Sequence, residues 1–138
     1  MSEAYSPRRG VDDEGIEADV GLDRPNVFPV MPYLGIDLEA DRWVCRKCGE
    51  DLGDAHESYK RGLLVNERDP GEVHRSLIGD DYKYTYTPDP DWCRLLEYYC
   101  PNCAVMAETE YLPPGHPPVN EIAPDLDWLK EHHMEAPE

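Results

Sequence analysis

RWVCRKCGE, residues 42–50, ends a strand-like run in a Cys-x-x-Cys-Gly turn, and YYCPNCA, residues 98–104, repeats the device near the other end of the chain. Each turn places two thiols where both reach one ion, and two turns supply the four sulfurs of a closed tetrahedral site. One such pair is a weak signal, because redox motifs share it. Two pairs, each beside strand-like sequence, are specific for metal. The candidate ligands are therefore Cys45, Cys48, Cys100 and Cys103. Gly49 lets the first turn double back with its N–H groups toward sulfur, Pro101 bends the second, and Ala104 stands where a glycine is common. Four thiolates leave no open coordination position, so the expected ion is structural zinc. Iron in the same cage would make a rubredoxin-like electron carrier.

Outward from the first pair, LGIDLEA (34–40) alternates Leu34, Ile36 and Leu38 on one face, and a turn at Asp41-Arg42 leads into Trp43-Val44-Cys45. Around the second pair, residues 93–99 and 104–112 read as a hairpin with the metal turn at its tip. Between the pairs lie 51 residues, more than a plain zinc ribbon uses, so this segment is an elaborated insertion. Within it, residues 62–65 read as a short strand, 67–78 as a loop with one helical turn, and YKYTYT (82–87) as β-prone. Residues 1–33, with four prolines and many acids, read as an extended arm, although 27–33 are too apolar for a solvated tail. Five prolines between 113 and 124 impose a second extended arm, and Pro124-Asp125 opens a short helix. The expected fold is a small mainly-β, zinc-ribbon-like (rubredoxin-like) domain at residues 34–112, with arms at 1–33 and 113–138.

The charge narrows the functions open to such a domain. Thirty Asp and Glu against thirteen Lys and Arg give −17, which repels nucleic acid and anionic membranes and leaves protein partners. No apolar leader or spanning segment is evident, and in the cytoplasm that this implies, paired cysteines read as metal ligands rather than disulfides. Cys93 reads as a buried strand thiol. His56, His74 and His116 lack the spacing of a second metal site, and His132 and His133 suit the end of the terminal helix. Tyr82, Tyr84, Tyr86, Trp92, Tyr98 and Tyr99 are an aromatic concentration suited to a core or an interface, and Asp89-Pro90-Asp91 to a solvated turn. No phosphate loop, nucleophile elbow or paired carboxylates support catalysis by this chain alone.

Three stretches in order, RWVCRKCGEDLGDA (42–55), SYKRGLLVNERDPGEVH (58–74) and LLEYYCPNCAVMAETEYL (95–112), resemble the acetone carboxylase gamma subunit family over about residues 34–130. The resemblance implies a small subunit of an ATP-dependent, biotin-independent ketone carboxylase, of acetophenone or acetone carboxylase type. It implies large hydantoinase A-like and B-like partner subunits that hold the ATP, the divalent metal and the chemistry, in which bicarbonate is phosphorylated and the ketone reacts as its enol. It carries Cys45, Cys48, Cys100 and Cys103 over as zinc ligands. A zinc-ribbon adaptor for another protein complex is the remaining alternative.

Overall fold

A computed structural model describes residues 24–74 and 87–133. Strands β1 (Val27–Met31), β2 (Leu34–Asp37), β3 (Arg42–Cys45) and β4 (Asp51–Asp54) form an antiparallel sheet in that order. Leu34 and Ile36 of β2 and Trp43 and Cys45 of β3 are buried on the core face, and Gly35 and Val44 between them are covered as well. Asp37 sets the β2–β3 turn, its Oδ1 accepting the N–H of Glu39 at 3.0 Å and of Ala40 at 3.1 Å. Asp41 completes the turn at φ 54°.

The apolar run before residue 34 finds its cover on this chain. As β1 it pairs with β2 so closely that a Cβ on Gly35 would sit 2.5 Å from Val27 Cγ1, and Phe28, Val30 and Met31 pack against the core. The sheet therefore starts ahead of residue 34, because an apolar strand beside a paired one satisfies its backbone and buries its side chains at once.

The second sheet follows a 3₁₀ turn at Tyr59–Gly62 and has the order β5 (Leu64–Arg68), β6 (Arg94–Tyr99), β7 (Met106–Leu112), again antiparallel. The β6–β7 hairpin is the one read from the sequence. Strand β5 starts later than expected and runs through Glu67 and Arg68, which were expected in a loop. The cause is tertiary. A Cβ on Gly62 would lie 1.7 Å from the Leu52 carbonyl oxygen, so Gly62 is held in the 3₁₀ turn against β4, and the polar residues of β5 are paired by β6. The expected helical turn is α1 (Pro70–Val73), capped by Asp69, whose Oδ1 accepts the Gly71 N–H at 2.9 Å. Tyr82, Tyr84 and Tyr86 lie outside the described residues.

One core serves both sheets: Leu34, Ile36, Trp43 and Leu52 meet Leu96, Tyr98 and Leu112. The Trp43 indole N–H donates to the Glu57 carbonyl at 2.9 Å, and its ring meets Tyr59 edge-on at 5.7 Å. Helix α2 (Leu126–His133) begins where Asp125 Oδ1 accepts the Trp128 N–H at 3.0 Å. It inserts Leu126 into the core, places His133 4.9 Å from the Phe28 ring and ties Lys130 to Asp41 at 2.6 Å.

Candidate metal centre

The two Cys-x-x-Cys turns are built alike. The Cys45 N–H donates to the Glu50 carbonyl at 2.9 Å and the Gly49 N–H to the Cys45 carbonyl at 2.8 Å. In the second turn Cys100 N–H bonds the Val105 carbonyl at 2.9 Å and Ala104 N–H the Cys100 carbonyl at 3.0 Å. Closing such a turn needs a left-handed residue after the second cysteine. Gly49 supplies it at φ 81° and Ala104 at φ 62°, where a Cβ is disfavoured. Each turn tips a hairpin, β3–β4 or β6–β7, so the rigid sheets bring the tips together.

The four sulfurs lie within 4.8 Å of one another, close enough to hold a metal ion. Cys45 Sγ is 3.7 Å from Cys103 Sγ, and Cys48 Sγ is 3.6 Å from Cys100 Sγ. A tetrahedral ion with metal–sulfur bonds of about 2.3 Å requires sulfur–sulfur edges of about 3.8 Å, so spacing and donor set both fit. The first cysteine of each pair is buried and the second half-buried.

Without an ion the thiols differ in acidity. Burial pushes Cys45 up to about 12, against the opposing hydrogen bonds from the Cys48 and Lys47 backbone, and burial likewise raises Cys100. At Cys48 burial is more than offset by the Asn102 side chain, the Glu50 backbone and the neighbouring thiols, which bring it down to about 7. The cluster cannot ionise fully without a cation to balance it. The first turn is also braced from outside the motif. Arg24 donates to the Arg46 carbonyl at 3.0 Å and the Lys47 carbonyl at 2.9 Å, and Arg46 donates to the Met31 and Pro32 carbonyls, each at 3.0 Å. Arg24 gave no signal in the sequence, since nothing local ties it to a turn more than twenty residues away.

Among the described residues no other candidate joins the cluster. Cys93 is not the buried strand thiol expected: it lies just before β6, is half-buried, and its Sγ faces the Arg94 carbonyl at 3.7 Å. His56 pairs with Asp54 at 2.7 Å, His74 with the Tyr111 hydroxyl, and His116 with the Pro117 carbonyl at 2.7 Å. His132 stacks on Trp128 at 4.1 Å. Asp89 forms the expected turn, its Oδ1 accepting the Asp91 N–H at 2.9 Å. Of the aromatic group, Tyr98 is in the core, while Trp92 is 79% exposed.

A second polar centre escaped the sequence reading. Lys60, only 8% exposed, directs its ammonium at Glu110 Oε2 (2.7 Å), Glu121 Oε2 (2.7 Å) and the Val119 carbonyl (2.6 Å). The Tyr98 hydroxyl donates to Glu110 Oε1 at 2.8 Å and the Tyr59 hydroxyl to Glu121 Oε1. Burial pushes both phenols up, and burial opposes ionisation of both carboxyls. Hydrogen bonds from Lys60 outweigh it, helped by Tyr98 at Glu110 and by Tyr59 at Glu121, so both carboxyls stay below the usual range. The network fastens residues 119–121 of the proline-rich segment to the 3₁₀ turn and the β6–β7 hairpin.

No described helix is long and apolar enough to cross a membrane. Compared with known proteins, the chain is 50% identical to the acetophenone carboxylase beta subunit of Aromatoleum aromaticum over 98 residues, which are 71% of this chain and 74% of that protein. It is 25% identical to the acetone carboxylase gamma subunit of Xanthobacter autotrophicus over 114 residues, covering 80% of this chain and 66% of that one. Residues 21–134, spanning both cysteine turns, match the acetone carboxylase gamma subunit family as a whole, and the chain belongs to that family.

Proposed function

We propose that the chain is the zinc-stabilised, non-catalytic subunit of an ATP-dependent, biotin-independent ketone carboxylase of acetophenone or acetone type. In the cytoplasm it wraps and stabilises large hydantoinase A-like and B-like subunits. The observation that carries the reading is the closed set of four thiols at Cys45, Cys48, Cys100 and Cys103. An ion there has sulfur at every tetrahedral position, so it organises structure and has no vacancy for water or substrate. An all-sulfur tetrahedral cage of this kind suits zinc. ATP and its divalent metal belong to the large subunits, and the zinc-ribbon-like body, with β1 and α2 packed on it, presents the surface that meets them. The carboxylase-subunit names of both relatives support the assembly, and a charge of −17 favours protein partners over nucleic acid.

The test is reconstitution. Purified alone, the chain should be colourless and carry zinc by elemental analysis. Mixed with the large subunits, it should co-elute and be required for ketone carboxylation. Activity unchanged on its omission defeats the proposal, and a red protein with iron in place of zinc establishes the rubredoxin-type alternative.

A further inference from the structure

Among the described residues two sheets present four edges, and exposed edges invite pairing with other chains unless something blunts them. Three are blunted here. On β1, Pro29 cannot donate and the register breaks between Pro29 and Met31. Strand β4 is four residues long, has a register break opposite it, carries Gly53 at φ 115° and is backed by the 3₁₀ turn. The hairpin partner of β7 has a register break at Tyr98/Tyr99, β7 runs into Pro113 and Pro114, and the Val119 N–H docks on its Glu110 at 3.1 Å.

Strand β5, Leu64–Arg68, is followed by Pro70 at the start of α1 but carries none of these devices along its own length. It pairs with β6 in unbroken register, contains no Pro and no Lys, and among the described residues no backbone group bonds its outer edge. Leu64 is 58% and Val65 57% exposed, on opposite faces of the strand. Its two charges are satisfied within the sheet: Glu67 takes Arg94 at 2.8 and 3.1 Å, and Arg68 lies 3.7 Å from Glu97. Neither is left to repel an incoming strand.

We propose that the outer edge of β5 receives an extended segment of a larger protein partner by strand addition. Main-chain hydrogen bonds supply the affinity, and apolar side chains of the segment cover Leu64 and Val65. The segment is neutral to basic. A second copy of this chain is disfavoured because two bodies of charge −17 repel. The inference rests on the assembly reading above, with the large carboxylase subunits as the source of the segment.

The test compares amide exchange of the full chain, alone and in the complex with co-expressed large subunits. Free, the outward-facing amides within residues 64–68 should exchange fast, and in the complex at least about tenfold more slowly. Val65→Lys should weaken assembly at least about tenfold, while a charge-matched lysine at exposed Ala40 should not. If the complex forms and is active but β5 amides exchange alike in both states, the edge proposal falls and the assembly reading stands. If no complex forms, both fall. Outward-facing amides already protected in the free chain, whether in a dimer by sedimentation or in a monomer, overturn the edge proposal alone.

Discussion

Replacing Lys60 with methionine keeps the stem of the side chain and deletes the charge that three acceptors share. The ammonium is enclosed by Glu110, Glu121 and the Val119 carbonyl, so its loss leaves two carboxylates facing each other. Removing one partner of a buried ion pair costs about 3–5 kcal/mol. Glu121, 40% exposed, can turn to water, whereas Glu110 cannot, which places the cost near the lower end, about 3 kcal/mol at pH 7. The pH dependence has a definite sign. In the wild type both carboxyls sit below their usual range, so their contribution is complete above the unfolded value of about 4.3 and fades only as the pH falls through the lower folded values. In the variant burial raises the Glu110 carboxyl, so its penalty is full at neutral pH and is relieved as the pH drops and the group takes up a proton. Urea denaturation of both proteins, metal-loaded, should therefore show a gap that shrinks between pH 7 and pH 5. A variant within about 0.5 kcal/mol of wild type at pH 7, the scale of an ordinary surface substitution, or a gap of constant size across that range refutes the reasoning.

Other perturbations address the cysteine turns. Cys100→Ser removes one of four sulfurs from a buried position and should cost several kcal/mol together with the bound metal, read by thermal melting and elemental analysis. Cys45, pushed up to about 12, and Cys100, also raised, carry protons at pH 7 that an ion must displace, so zinc binding should release protons and weaken as the pH falls. Calorimetry in buffers of differing ionisation enthalpy checks this. Ala104→Gly relieves a left-handed alanine and should stabilise by about 0.5–1 kcal/mol, while Gly49→Ala should destabilise, since its Cβ would also meet Arg24 Nη1 at 2.8 Å. Gly62→Ala, aimed into the Leu52 carbonyl, should cost more than either, measured by the same denaturation assay.

What could be read without coordinates followed from short-range chemistry. Two Cys-x-x-Cys turns identify their own sulfurs because both thiols of a pair sit on one turn, alternation marked β2 and β7, and strand-prone residues leading into each turn marked β3 and β6. The terminal helix announced itself through Pro124 and Asp125. The Glu67 and Arg68 portion of β5 and the whole of β4 carry no such pattern, since neighbouring elements hold them in place.

By itself, then, the sequence determined which four thiols are candidates for an ion and that the runs beside them, β2, β3, β6 and β7, are strands, because those properties are set within a few residues. Only the tertiary structure decided that Phe28 and its neighbours cover their own sheet, that Arg24 braces a distant turn, and that Lys60 gathers Glu110 and Glu121. The last two join residues separated along the chain by 22 to 61 positions, and a contact of that kind exists only once packing has chosen which surfaces meet.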